Sequence, residues 1–293
     1  MKREIPIPWR RLLSRVLSLV LLLLLLVNLF LSPLDRGRSS GELYVYALDV
    51  GQSEATLVMT GNRILLIDSG TAAEQESLAY ALARLNVRKI DVLLLTHLHE
   101  DHIGNARYLL QRFEVGEVLL PSYEADDLTG ELLLQSIGAD AVFLRAGYRF
   151  SLGFAEFEVL TVGDTNGNDA SAVLRGRFGN QVLLFMGDAG KAVEYDLISR
   201  YGAAYLDCDY LKIGHHGSNT GTTAEFLAAT TPAVASISCG RQNSYGFPHE
   251  RVLDDLARFD VEVARTDKSG TVIFATDGRT WTRLSSERGR LGK

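Results

Sequence analysis

Three histidines and an aspartate fall within six residues, in His97-Leu98-His99-Glu100-Asp101-His102. Imidazole and carboxylate together suit zinc and similar divalent ions. An isolated histidine is usually structural, but this chain gathers its histidines. All six lie in or near three short segments: 97–102, His215-His216 and His249. Asp188 ends the apolar stretch Leu183-Leu184-Phe185-Met186-Gly187-Asp188. A carboxylate at the end of a buried strand is well placed to bridge two cations. The chemistry indicated is metal-assisted hydrolysis, in which a bound cation lowers the pKa of water toward about 7 and creates a nucleophile.

These groups need strand ends to hold them. Asp91 to Thr96 is a continuous apolar run, as expected of a strand covered on both faces, and it delivers His97 and His99 directly. Alternate residues leaving that strand can face one cation, while Asp101 and His102 face a second. A helix begins near His102. Further strands are predicted at 44–48, 55–59, 63–67, 170–178, 181–186, 209–213, 233–238, 261–265 and 271–276. Gly179-Asn180 turns one strand pair. Helices are predicted at 73–85, 191–200, 222–229 and 250–259. Strands mixed with helices, without low-complexity sequence or a convincing repeat, indicate one layered α/β domain, compatible with two sheets between helices.

The N-terminus is different. Lys2, Arg3, Arg10, Arg11 and Arg15 precede an apolar run from Val16 to Leu31 that includes Leu21 to Leu26. A positive flank before such a run reads as a signal anchor or a signal peptide. No small-x-small cleavage site follows, which favours the anchor. The run is a little shorter than the roughly 20 residues of a spanning helix, and Leu12 and Leu13 extend it if Arg15 reaches to the interface. Basic flanks stay in the cytoplasm, so the rest of the chain should lie outside it. The expected order is a basic segment (1–15), a membrane anchor (16–31), a polar linker (32–42), one domain (43–285) and a tail (286–293). The net charge of -6 over 293 residues argues against a surface that grips nucleic acid indiscriminately. Cys208 and Cys239 are not spaced for a metal site. Outside the cytoplasm they could pair; two separate buried thiols is the other reading.

His-x-His-x-Asp-His, a later Gly-Asp at a strand end and a still later histidine resemble the metallo-β-lactamase superfamily. Finer segments resemble the extracytoplasmic hydrolase domain of ComEC-type DNA-uptake (competence) proteins. They are Leu48-Asp-Val-Gly-Gln-Ser-Glu-Ala55, Leu66-Ile-Asp68-Ser-Gly70, Thr96 to His102, Asn168-Asp-Ala-Ser171, Met186-Gly-Asp188, Lys212-Ile-Gly-His-His-Gly-Ser218 and Asn243-Ser-Tyr-Gly246. The similarity spans roughly 43–280 and is to the hydrolase domain, not to the many-helix channel of such proteins. The resemblance implies an αββα sandwich and two divalent ions, zinc or manganese. His97 and His99 would hold the first. Asp101, His102 and His215 would hold the second, with Asp188 bridging and Asp101 also orienting the hydroxide. The superfamily's middle histidine is missing here, since none lies between His102 and His215. His216 or His249 would then complete the first site. Phe247 stands where the subgroup often has histidine.

Asp68 and Asp49 are candidates for fixing a ligand imidazole. Lys212, Ser218, Asn243 and Tyr245 are candidates for holding a substrate's anionic oxygens. The resemblance implies a phosphodiester substrate, single-stranded DNA among them. Arg241, Arg265, Lys268, Tyr245 and Phe247 could line a path for a strand. Alternatives are a choline-phosphate group, an ester, a lactone or a β-lactam, or a tethered binding module that no longer turns over. No sequence feature points to a protein partner. The expected location is the cell membrane, single-pass, with the catalytic domain extracytoplasmic, or secretion after signal cleavage.

Overall fold

A computed structural model of the chain describes residues 41–122, 141–163 and 167–284, with isolated positions at 18, 20, 133 and 135–137. The expected basic segment, most of the anchor and linker, and the tail lie outside the described residues. Among the described residues no helix is long and apolar enough to cross a membrane.

The strands are β1 (Leu43–Ala47), β2 (Thr56–Thr60), β3 (Arg63–Ile67), β4 (Lys89–Leu94), β5 (Glu114–Leu120), β6 (Ala141–Phe143), β7 (Arg149–Leu152) and β8 (Ala155–Thr161). They continue with β9 (Val173–Phe178), β10 (Gln181–Phe185), β11 (Tyr210–Lys212), β12 (Val234–Ile237), β13 (Glu262–Arg265), β14 (Val272–Thr276) and β15 (Trp281–Leu284). One sheet has the order β15-β14-β1-β2-β3-β4-β5-β6 and the other β13-β12-β11-β10-β9-β8-β7. Helices are α1 (Gln75–Arg84), α2 (Glu100–Ile103), α3 (Ala106–Arg112), α4 (Lys191–Tyr201), α5 (Ala203–Leu206), α6 (Ala224–Thr230), α7 (Glu250–Arg258) and α8 (Thr266–Ser269).

Side-chain alternation explains the layering. Leu43, Val45 and Ala47 of β1 point between the sheets, where they meet Phe185, Tyr210 and Phe274. Tyr44 and Tyr46 point to the other face, where Leu78 and Leu82 of α1 and Leu109 of α3 cover them. The second sheet is covered by Leu197 of α4, Phe226 of α6, and Val252 and Leu256 of α7. Leu78 and Leu82, like Val252 and Leu256, are four residues apart and so share one helix face. Because both faces of each sheet are covered, β3 and β10 carry four consecutive apolar residues each, Ile64 to Ile67 and Val182 to Phe185.

The parallel strands decide where a site can form. β3, β4 and β5 run parallel, as do β10, β11, β12 and β13. Their C-terminal ends open on one rim, where α/β sheets place their ligands. β1 runs with β3, since each pairs antiparallel with β2, so the chain enters at the opposite end of the sheet. Expected elements match the observed ones to within about two residues, except that β9 starts at Val173 rather than 170 and the strand leading to His97 is Lys89–Leu94. Strands β5 to β8 and β15 are additional to those expected, as are α5 and α8, while the helix expected from His102 is split into α2 and α3. Cys208 and Cys239 are separate buried thiols.

Candidate metal centre

Four loops converge on this rim. Asp68 follows β3, His97 and His99 follow β4, and Asp101 and His102 lie on α2. Asp188 follows β10, and His215 and His216 form a 3-10 turn after β11. Thr96 and His97 are clamped from both sides. Asp68 Oδ1 accepts from Thr96 N–H at 2.8 Å, and Thr96 C=O accepts from Ala172 N–H at 2.8 Å. Asp188 needs Gly187 before it, with φ of 53°, because a Cβ there would come within 2.9 Å of Ser171. His215 and His216 also adopt left-handed φ, 47° and 53°. Such strain in non-glycine residues persists where the surroundings impose it, often at functional sites.

The side chains form two groups. His97, His99 and Asp188 make one, and Asp101, His102 and His216 the other. Asp188 serves both. Its Oδ2 lies 3.9 Å from His97 Nε2 and 3.8 Å from His215 Nε2. Its Oδ1 lies 3.3 Å from His102 Nε2 and 3.9 Å from His216 Nε2. Asp101 Oδ2 is 3.3 Å from His216 Nε2.

Four of the five imidazoles, those of His97, His102, His215 and His216, have a polar partner at Nδ1. His102 Nδ1–H donates to Asp68 Oδ2 at 2.7 Å. Thr96 Oγ1 donates to that carboxylate and so accepts from His97 Nδ1, 3.1 Å away. Ser171 Oγ is also 3.3 Å from His97 Nδ1, and accepts from Asp188 N–H at 2.9 Å. His216 Nδ1 donates to Ser238 C=O at 3.0 Å. His215 Nδ1 lies 2.9 Å from Thr220 Oγ1. The Nε2 atoms of His97, His102 and His216 therefore face Asp188, while that of His215 lies between Asp188 and Asn168 Nδ2. His97 Nε2, His102 Nε2 and Asp188 Oδ1 are buried without any hydrogen-bond partner of ordinary geometry. Buried polar atoms are nearly always partnered, and lone pairs that converge without a donor fit a cation. The donor set of imidazole nitrogen and carboxylate oxygen suits zinc or manganese.

Protonation follows the same logic. Burial, with His102 beside it, pushes His97 down to about 2, so it is neutral. Burial opposes charge on Asp188, yet the His102 and His216 imidazoles hold its carboxyl well below the usual range. Burial likewise opposes charge on His102 and His216. Asp188 and Asp68 outweigh it at His102, which is raised well above its ordinary value. Asp188 and Asp101 raise His216. Those protons occupy the positions a cation would take, so cation binding would release them.

The pair at 215–216 sits the other way round from expectation. His216, 1% exposed, joins Asp101 and His102, while His215 lies on the Oδ2 side of Asp188 beside Asn168 Nδ2, 3.4 Å from its Nε2. His249 belongs to neither group; its Nδ1 accepts from Asn219 N–H, and its ring packs edge-on against Phe247. Asp68 holds an imidazole, but Asp49 makes no bond to one. Asp49 lines a cavity of about 350 Å³ with Gln52, Glu74, Arg241 and Asn243.

Three substrate-binding expectations need correction. Lys212 is 1% exposed and its ammonium is 2.7 Å from Glu54, because its strand is covered on both faces. Asn243 uses its whole amide to close its own loop, bonding Gly240 C=O and both backbone groups of Phe247. Ser218 is buried and accepts from Thr220, the partner of His215. Tyr245 remains exposed at 64%, stacked on Phe247 at 5.3 Å. Of the basic residues, Arg265 is paired with Asp267, and Arg241 Nε donates to Asp267 C=O. Thr220 and Ser238 escaped the sequence reading, whereas Thr96, Asn168 and Ser171 lie in segments that carried the resemblance.

Residues 48–241 match the metallo-beta-lactamase superfamily. The chain is 34% identical over 267 residues to competence protein ComA of Neisseria gonorrhoeae, covering 90% of this chain and 36% of that one. It is 29% identical to ComE operon protein 3 of Bacillus subtilis, covering 83% of this chain and 34% of that one. Recombination protein 2 of Haemophilus influenzae is 33% identical, with 78% and 28% covered. The chain thus spans about a third of the length of these relatives. Among solved structures, the metallo-beta-lactamase fold protein YhfI of Bacillus subtilis aligns with a TM-score of 0.55 at 13% identity, covering 80% of this chain and all of that one. CmlA, a diiron beta-hydroxylase from Streptomyces venezuelae, aligns with a TM-score of 0.55 at 16% identity, covering 83% and 54%. The second is named for hydroxylation, so the shared fold does not by itself fix the chemistry. With its rim of imidazoles and carboxylates between two sheets, the chain belongs to the metallo-β-lactamase superfamily and is related to the competence proteins.

Proposed function

We propose that the chain is a membrane-anchored, extracytoplasmic hydrolase that uses two divalent cations to cleave phosphodiester bonds, with single-stranded nucleic acid as substrate. The observation that carries this reading is the placing of Asp188, whose two oxygens face two separate groups of lone pairs. Two cations held there would polarise a phosphoryl oxygen and activate water near neutral pH. His97 and His99 would hold one, and Asp101, His102 and His216 the other. Asp188 spans both positions and keeps their charges balanced. The Asp101 side chain is 35% exposed against 3% for Asp188, so it is the carboxylate at the mouth. It would orient the attacking water. Asp68, Thr96 and Ser171 fix ring directions, which is what such outer groups contribute.

The surroundings support a nucleotide over choline phosphate. Tyr245 and Phe247 stack at 16° beside His216, and the Tyr245 outer face is open. A flat base can stack there, whereas a quaternary ammonium is best enclosed by rings on several sides. Relatives named for competence and recombination point the same way. If residues 16–31 anchor the chain, the domain is entered at the end opposite the rim, and the site opens away from the membrane.

A panel of a phosphodiester reporter, short single-stranded DNA, nitrocefin and a lactone, each with zinc or manganese restored, separates the classes. Turnover of the phosphodiester and the DNA alone is expected. Turnover confined to nitrocefin or the lactone contradicts the substrate class, and no turnover with cations bound identifies a binding module.

A further inference from the structure

Glu54 and Lys212 lie 158 positions apart in sequence, on the loop after β1 and at the end of β11. Their side chains are 2% and 1% exposed, and Lys212 Nζ is 2.7 Å from Glu54 Oε2. Removing two charges from water is costly, and well-packed apolar side chains often hold such a place at least as well. The pair is therefore better explained by what it aligns than by the stability it adds.

What it aligns is visible in the bonds on either side. Glu54 N–H donates to Asp101 C=O at 3.0 Å, and Glu54 C=O accepts from Gly70 N–H at 2.7 Å. Thr56 Oγ1 donates to Glu54 Oε1, leaving Oε2 for the ammonium. Lys212 Nζ also donates to Ile213 C=O at 3.0 Å, three residues before His216. Asp101 and His216 then meet through Oδ2 and Nε2 at 3.3 Å. The result is a closed ring: Asp101 backbone, Glu54, Lys212, the 213–216 backbone, His216 and Asp101 again. One half of the ring comes from each sheet.

We propose that Glu54 and Lys212 are positioning residues that set the spacing of Asp101 and His216, and so govern the second cation position without touching substrate. This rests on the two-cation reading of the rim. Glu54 and Lys212 lie outside both groups of ligand atoms, so their effect must pass through the backbone they hold. The first position draws on His97, His99 and Asp188, which the ring does not include. Its affinity should be unaffected.

The test uses the full chain, with zinc content and chelator competition measured beside thermal unfolding. Wild type should hold two zinc ions, and Asp101→Ala one. The double variant Glu54→Leu/Lys212→Met replaces the pair with apolar side chains and should fold. It should bind the first ion as wild type does and the second at least about 10-fold more weakly, the scale at which groups that orient ligands act. Glu54→Gln keeps the shape while removing the charge and should show the same selective loss, to a smaller degree. Two ions at wild-type affinity in either folded variant overturns the proposal, as does equal weakening of both ions, which marks general structural damage. A wild type that holds fewer than two zinc ions fails the two-cation reading, and the inference with it.

Discussion

Asp68→Asn isolates the effect of imidazole orientation. Asp68 is fully buried, and its two oxygens accept three bonds: His102 Nδ1–H, Thr96 Oγ1–H and Thr96 N–H. An amide of the same shape has one oxygen for these three donors, and its NH2 must face at least one of them. If NH2 faces His102 Nδ1, the ring is driven to its other tautomer, and the proton on Nε2, aimed at Asp188, can no longer be given up to a cation without losing that tautomer. If NH2 faces Thr96 N–H instead, that backbone donor is left buried and unmatched, at a cost of about 1–3 kcal/mol. Losing the charge-assisted bond to His102 costs about 1.5–3 kcal/mol in the state where the ring is correctly turned. Outer carboxylates of this kind are worth about 10- to 100-fold in metal affinity, or about 1.4–2.7 kcal/mol, which agrees. The account predicts chelator competition weakened by that factor at the position served by His102, with a fall in thermal stability and a loss of phosphodiester turnover at limiting metal. Metal affinity within about twofold of wild type, in a folded variant, would refute the claim that Asp68 sets the ring.

Other outcomes follow from the same geometry. His97→Ala and Asp188→Ala should each lower phosphodiester turnover by more than about 100-fold, since even groups that only orient ligands can be worth that much; turnover that survives both substitutions comes from a contaminant. Metal affinity should rise with pH, because His102 and His216 are raised in the metal-free chain and a cation must displace their protons. A raised imidazole contributes stability below its unfolded value of about 6.5 and loses it as pH rises through the folded value; the thermal gain on adding metal should therefore grow toward alkaline pH, as differential scanning fluorimetry can check. Tyr245→Ala should weaken single-stranded DNA binding by about 1–3 kcal/mol, one stacked base, while leaving a small phosphodiester reporter unaffected. Cys208 and Cys239 are 3% and 0% exposed, and burial pushes the Cys239 thiol up to about 12 and Cys208 further; a thiol reagent should find neither in the native chain and both in denaturant.

The rim was legible because its groups are dense in sequence. His97 to His102 come from one loop, and Asp188 ends an apolar run that only a covered strand would carry. Ring identity was not legible. His215 and His216 are adjacent, both with left-handed φ, and which one turns inward depends on Ser238 and Thr220, contacts that spacing does not reveal. Lys212 misled for a related reason. A lysine in a strand suggests solvent, but its partner Glu54 comes from the other sheet. The unforeseen strand Glu114–Leu120 is half exposed at its start and interrupted by Gly116, which the close approach of Asp91 C=O requires at 2.6 Å from a Cβ. Its pattern follows this packing rather than a clean period. Asn243 was read by its chemistry alone, while its loop takes both amide hydrogens and a bond to the oxygen.

Anomalous diffraction at the metal absorption edge, from crystals of the full chain grown with zinc or manganese, tests the central claim most directly. Two peaks flanking Asp188 are predicted, one among His97 and His99 and the other among Asp101, His102 and His216. A single peak, or density remote from Asp188, would contradict the two-cation centre.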